Sequence, residues 1–371
     1  MKKSNVLVIA SVLITIHVLV FIAIIGSRGN KPKEPRTAPV PKETPTPAEP
    51  ALPEFNVPEL KLLPESSAVT PVEVKTMPSV QPRETIARPV NREGYLRSDM
   101  PNRRTSKVYD NLTSDPYRGA IVVDARTGRI LYEDHPTSYA YPASVTKLMT
   151  MLIVLEQIES GQIHLNDRVK ITDEIAGIGG SGVYLDVRET GAFTVENMLE
   201  AMIIHSACDA AAALAVHVAG SIDGFVDMMN QKARELGMNS TIFHTPHGLP
   251  ITQQPDISTA YDTALLSLAC LRYPETVKYT STKLAWLPTN SLRKEKFMLA
   301  NRNVLVGKAP YPGCDGLKTG YHKMGGWSLA ATAERNGQRV VAVLLGSTDK
   351  NTRDDNIRKL LDKGFEALNS K

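Results

Sequence analysis

Uncharged apolar residues run from Val6 to Ile25 with only Ser11, Thr15 and His17 among them. A helix needs about 20 such residues to cross a bilayer, so residues 5–26 read as a membrane-spanning anchor. A cleavable signal peptide has a shorter apolar stretch, of about 7–15 residues, before a small-x-small site. Gly26-Ser27-Arg28-Gly29 is a poor site, and an uncleaved anchor is the better reading, with a cleaved signal as its alternative. Residues 27–112 carry no hydrophobic period. Pro32, Pro35, Pro39, Pro41, Pro45, Pro47, Pro50 and Pro53 crowd the early part of this stretch. Such a composition favours extended polyproline II and buries no core. It reads as a disordered linker, either a spacer of required reach at about 3.1 Å per extended residue or a tether with no distance requirement.

From Tyr117 the pattern changes. Ala120 to Asp124 and Arg129 to Tyr132 flank Thr127-Gly128, which predicts a hairpin. Ser144 to about Ile158 places Leu148, Leu152 and Leu155 on one helical stripe. Thr194 is a helix N-cap before the apolar run Met198 to Ile204, and Ala210 to Ala219 and Phe225 to Leu236 extend the helical cluster. Ser328 to Ala333 and Val340 to Leu345 flank Asn336-Gly337 as a second hairpin. Asn356 to Leu368, with Ile357, Leu360, Leu361 and Phe365, is a last helix. Strands at both ends with helices between predict one α+β domain over residues 113–371, its antiparallel sheet formed by both ends and packed with the helical cluster.

The 371 residues are 42% hydrophobic, 22% charged and 6% aromatic, the composition of a globular enzyme with an unusual addition of 25 prolines. A net charge of +4 with no basic run interleaved with aromatics argues against a nucleic-acid partner. Three cysteines, Cys208, Cys270 and Cys314, are too few and scattered for a disulfide framework or a zinc ribbon. His244-x-x-His247 lacks a third ligand and is assigned to bracing a loop. No metal or cofactor is expected.

Ser144-Val145-Thr146-Lys147 begins a predicted helix, where three residues are almost one turn, so the amine can lie against the hydroxyl. A serine needs a partner to take its proton, and a lysine with a lowered pKa can do so. The helix start also aims N–H groups at an oxyanion. Alone this pattern is common. Lys318-Thr319-Gly320, read as preceding a strand, adds a second element, with Gly320 allowing close approach of a substrate backbone. Ser206, read on the apolar helix end at His205-Ser206-Ala207-Cys208-Asp209, supplies a third wall. Ser144, Ser206 and Lys318 together form the constellation of S-x-x-K, S-x-N and K-T-G enzymes.

On these residues the chain resembles the low-molecular-mass D-alanyl-D-alanine carboxypeptidases and endopeptidases, serine peptidases with the penicillin-binding and β-lactamase fold. The resemblance covers about Tyr117 to Phe365. It is carried by Tyr141 to Thr150, Glu235-Leu236-Gly237-Met238-Asn239, Pro246-His247-Gly248-Leu249, Asn301-Arg302-Asn303 and Asp315 to Tyr321. It implies that Ser144 attacks the D-Ala-D-Ala carbonyl, that Lys147 accepts its proton, and that Ser206 with Lys318 relays a proton to the leaving amine. It further implies an oxyanion hole from the N–H groups of Ser144 and Tyr321, and a terminal carboxylate held by Thr319 and Arg302. The implied partners are stem peptides of peptidoglycan ending in D-Ala-D-Ala, β-lactams as inhibitors and the membrane through the N-terminal helix. Lys2 and Lys3 against Arg28, Lys31 and Lys33 give no orientation. The implied chemistry places the domain outside the cytoplasm, on a single-pass protein of the cell membrane.

One departure stands out: the second motif usually ends in Asn, and Cys208 stands there. A thiol is a weaker hydrogen-bonding group than an amide, so Cys208 is expected to serve position. Removal of a terminal D-Ala is the first reading, and cleavage of crosslinks or a catalytically weak binding protein are its alternatives. A β-lactamase shares the three motifs but needs a deacylating glutamate; Glu235 matches E-x-x-x-N by letter only. The C-terminal β-domain and amphipathic anchor frequent among the family's carboxypeptidases are not found after Phe365, and the N-terminal span is read as replacing that anchor.

Overall fold

The computed structural model describes residues 117–249, 254–323 and 325–370. The anchor and linker expected over residues 5–112 lie outside them. β1 (Gly119–Asp124) and β2 (Ile130–Asp134) form the first hairpin. A 3-10 turn, Ala143–Thr146, leads into α1 (Lys147–Glu159). Helices α2 (Val195–Ile204), α3 (Cys208–Ala219), α4 (Ile222–Glu235), α5 (Ala260–Cys270) and α6 (Pro274–Ser281) follow. A small hairpin of β3 (Leu284–Leu287) and β4 (Phe297–Ala300) precedes β5 (Cys314–His322), β6 (Gly326–Arg335), β7 (Gln338–Ser347) and α7 (Lys350–Asn369).

The main sheet is antiparallel, in the order β2-β1-β7-β6-β5. Its two ends of sequence meet where β1 pairs β7, Ala120 opposite Leu344 and Val122 opposite Ala342. Side chains alternate across the sheet. Ile121, Val123, Val341, Val343 and Leu345 face the helical cluster, whereas Ala120, Val122, Val340, Ala342 and Leu344 face α7 through Ile357, Leu360, Leu361 and Phe365. Both faces are therefore covered. This explains why Val340 to Leu345 is an unbroken apolar run: a strand buried on both sides has no polar face to alternate with.

The expected hairpins, the helix α1 and the Thr194 cap are all present, α1 being buried all round from Lys147 to Leu155 rather than along one stripe, and the cap being a capping box in which Thr194 and Asn197 satisfy each other's backbone N–H groups. Three positions differ. Lys318-Thr319-Gly320 lies inside β5 rather than before a strand. α7 begins at Lys350, capped by Asp349, well ahead of Asn356, because its first turns bury the ion pair Arg353–Asp354 and carry no apolar stripe. α5 and the β3–β4 hairpin carry no sequence expectation. α5 is buried all round and so lacks an amphipathic period, and the hairpin's long loop has no turn signature.

α7 lies so close to the sheet that a Cβ on Gly364 would stand 2.8 Å from Val122 Cγ1 and 3.2 Å from Val340 Cγ1. Alanine there gains about 1 kcal/mol of helix propensity against this crowding, so a larger side chain is the discriminating test. Gly364→Leu should destabilise the domain by about 1–3 kcal/mol, read as a lowered thermal midpoint of the purified protein. An unchanged midpoint would show that α7 can lift from the sheet.

Candidate functional site

Three elements converge at the open edge of the sheet: β5, the turn before α1, and the junction of α2 with α3. Ser144 sits in the 3-10 turn, so the α-helix proper starts at Lys147. Ala143 is held at φ +49°, an uncommon conformation for a residue with a side chain. The turn is tied down from behind. Thr146 Oγ1 donates to the buried Asp256 carboxylate at 2.8 Å, and a Cβ on Gly248 would stand 1.9 Å from the Ala143 carbonyl oxygen. Only glycine fits at position 248, which also has φ +79°.

Lys147 is fully buried. Its Nζ reaches Ser144 Oγ at 3.0 Å, the His247 carbonyl at 2.7 Å and Cys208 Sγ at 3.4 Å. Burial holds its pKa below the ordinary lysine value, partly opposed by Cys208 and the Asp209 and Asp256 carboxylates. A second buried amine, Lys318, donates to Ser206 Oγ at 2.9 Å and to the Thr319 carbonyl at 3.2 Å. Burial and then the charge of Lys147 push its pKa well down. Ser206 lies beyond the end of α2 rather than on it, at φ +67°, the left-handed bend that turns the chain into α3.

Ser144, Ser206, Cys208, Arg302, Thr319, Gly320 and Tyr321 line one groove of about 570 Å³, with Lys147 and Lys318 beneath it. Every residue expected of the site is thus brought together. The reason for Gly320 differs from the expected one: a Cβ there would stand 2.4 Å from the Pro142 carbonyl oxygen, so the glycine admits the serine's own turn against β5. Cys208 opens α3 and accepts from Lys147, while Cys270 is buried elsewhere and Cys314 is partly buried; all three thiols are free. Glu235 is exposed, pairs with Lys232 at 2.8 Å and does not line the groove, in keeping with a match by letter only.

Several contributors carry no recognisable signal. Arg353 and Lys350 from α7 and Trp327 from β6 also line the groove. Arg353 is buried, bound to Asp354 Oδ1 at 2.5 Å and to the Ser328 carbonyl at 3.3 Å. His247 does brace a loop, its Nδ1 accepting from Leu249 N at 3.1 Å, but its larger part is played by the backbone carbonyl on Lys147. Asp256 was invisible as well; it gathers His244 N at 2.7 Å and Thr245 N at 3.1 Å beneath the same amine. Among the described residues the groove is lined by Arg302, Lys350 and Arg353 and by no carboxylate, which suits an anionic ligand terminus. A hydroxyl beside a buried amine suits nucleophilic attack on an acyl carbon.

Residues 111–349 match the family described as D-alanyl-D-alanine carboxypeptidase. The chain is 37% identical over 248 residues to the D-alanyl-D-alanine carboxypeptidase DacF of Bacillus subtilis, covering 67% of this chain and 62% of that relative. It is 31% identical to the D-alanyl-D-alanine endopeptidase of Escherichia coli, over 63% of this chain and 72% of the relative. Penicillin-binding protein D2 from Listeria monocytogenes, solved in the ampicillin-bound form, superposes with a TM-score of 0.59 at 29% identity, over 67% of this chain and 97% of that one. The chain thus spans about three fifths of the length of the first of these relatives.

The buried amine of Lys318 makes a prediction about stability. Its folded pKa lies below the ordinary 10.5. Between those two values the unfolded chain binds a proton that the folded chain does not, so stability rises with pH across the window. The denaturation midpoint should climb with pH across this window below 10.5, and Lys318→Met should flatten that climb. An identical slope in the variant would mean that Lys318 keeps its proton in the fold.

Proposed function

Because this chain belongs to the D-alanyl-D-alanine carboxypeptidase family, we propose that it is a serine D,D-carboxypeptidase that removes the terminal D-Ala from peptidoglycan stem peptides through an acyl-enzyme and is inhibited by penicillin. The observation that carries this reading is the pair of buried amines with hydroxyl partners at one groove, Lys147 with Ser144 at 3.0 Å and Lys318 with Ser206 at 2.9 Å. Ser144 Oγ attacks the carbonyl carbon of the penultimate D-Ala as Lys147, kept toward its neutral form by burial, takes the hydroxyl proton. The oxyanion is received by the backbone N–H groups of Ser144 and Tyr321. The C–N bond breaks as Ser206, held by Lys318, passes its hydroxyl proton to the leaving amine and is reprotonated with the one that Lys147 took from Ser144. Water then releases the shortened peptide from Ser144. Thr319 and Arg302 hold the terminal carboxylate, and Lys350 of α7 adds positive charge to the same groove. Cys208 positions Lys147; its sulfur is a weak acceptor at 3.4 Å, and the carbonyl of His247 at 2.7 Å provides the firmer anchor.

The E. coli relative named as an endopeptidase favours a second reading, cleavage of crosslinks at the same site. Incubation with crosslinked and uncrosslinked muropeptides separates the two by which substrate disappears. We further propose that residues 5–26 anchor the chain in the cell membrane and residues 27–112 hold a catalytic domain of residues 113–371 on its outer side. Support comes from the uncharged apolar run Val6 to Ile25 and the proline-rich stretch after it. The full chain should stay with membranes after a high-salt wash, and a mature N-terminus near Gly29 would mark a cleaved signal instead.

A fluorescent penicillin should label the purified protein, because its strained amide replaces the acyl-D-Ala carbonyl. Ser144→Ala should abolish both labelling and D-alanine release. Lys147→Ala should lower both by about 100-fold or more with the fold intact. A penicilloyl adduct that persists in Ser144→Ala would overturn the nucleophile.

A further inference from the structure

Arg302 follows β4 on a short segment pinned on both sides. Asn301 Nδ2 donates to the carbonyls of Thr280 and Thr282 at 2.9 Å each, and Asn303 Nδ2 to that of Gly316 at 3.1 Å. The backbone is therefore placed, yet an exposed arginine side chain has several rotatable bonds and loses entropy when it is held. The holder is His205, the last residue before the bend at Ser206. Arg302 Nε donates to the His205 carbonyl at 3.2 Å, and Arg302 Nη2 lies 3.1 Å from His205 Nε2.

A guanidinium has only donors, so His205 Nε2 must be an acceptor and its ring neutral, with the proton on Nδ1. Burial first, then Arg302 and Lys318, push the ring's pKa down to about 4, which keeps it neutral at ordinary pH. Phe297 meets the ring edge to face at 5.3 Å and fixes its plane. Among the described residues Arg302 forms no ion pair with a carboxylate. The choice of holder has a consequence. A Glu or Asp would fix the guanidinium equally well but cancel its charge, whereas the uncharged imidazole and the His205 carbonyl take one N–H donor each and leave the full positive charge and the other three donors to the groove.

We infer that His205 is a positioning residue for substrate recognition: its neutral ring and carbonyl preorganise Arg302 to receive the carboxylate of a peptide that ends in a free C-terminus. The inference rests on the proposed reading of Arg302 as the carboxylate-binding group. It predicts an effect on substrate capture rather than on bond breaking.

The test measures D-alanine release by the full-length protein from a peptide ending in D-Ala-D-Ala, together with the rate of acylation by a fluorescent penicillin, which carries an equivalent carboxylate and needs no turnover. His205→Ala should raise KM, and slow acylation, by about tenfold, with kcat within about twofold. His205→Gln, which restores an uncharged acceptor, should recover most of this loss; His205→Glu should not, because it neutralises Arg302. The double variant His205→Ala/Arg302→Ala should be no worse than Arg302→Ala. A lowered kcat at constant KM, additive losses in the double variant, or equal behaviour of the Gln and Glu variants would overturn the inference, and the last comparison stands even where His205→Ala fails to fold. Arg302→Ala without effect on KM or acylation would sink the underlying reading and the inference with it, whereas a normal Arg302 effect without coupling to His205 sinks the inference alone.

Discussion

An ammonium group removed from water must find acceptors or lose its proton. Lys147 is buried completely at the meeting point of three elements, and each supplies it with an acceptor: the Ser144 turn at its own helix start, Cys208 at the start of α3, and the His247 carbonyl from the loop after α4. Much of the surrounding structure follows from bringing these three together. The 244–249 loop is held by Asp256, which takes the N–H groups of His244 and Thr245, and by Thr150, whose hydroxyl donates to the Pro246 carbonyl at 2.5 Å. Burial raises the pKa of Asp256 to about 6 even though four hydrogen bonds pull the other way. One carboxylate thus serves both the serine turn and the loop that anchors the amine.

The backbone at the site is forced into conformations that side-chain-bearing residues seldom adopt. Ala143 at φ +49° directs Ser144 toward the groove, and Ser206 at φ +67° lets its hydroxyl face Lys318 from the helix junction. Such residues persist where packing over-determines them. Here the over-determination is visible as contact: glycines at 248 and 320 let two separate segments close on the serine turn at distances no Cβ would allow. The result is a preorganised site, in which the orientation of the nucleophile is set before a ligand arrives.

The double-sided sheet serves the same end. With α7 on one face and the helical cluster on the other, β5 is an edge strand whose outer backbone is open beside the groove while its inner edge is held by β6. Lys318 reaches Ser206, Gly320 meets the serine turn, and Thr319 and Tyr321 alternate with them along the strand and line the groove. α7 also sends Arg353 to the groove, so the layer on the other face of the sheet contributes to its lining.

The amino-acid sequence alone determined the elements with a local cause. The hairpins at Thr127-Gly128 and Asn336-Gly337 come from turn chemistry, the start of α2 from the Thr194 cap, and the pairing of Ser144 with Lys147 from a spacing of one turn. Ser206, Lys318 and Arg302 were legible only as letters in a motif, since nothing local says that they meet. Their convergence, the neutral ring of His205 against Arg302, the carbonyl of His247 on Lys147 and the hold of the Ser328 carbonyl on Arg353 were decided by tertiary structure. The physical reason is that these interactions join residues remote along the chain, and several run through backbone carbonyls that every residue type possesses, while α5 and the first turns of α7 are buried in ways that leave no hydrophobic period to read.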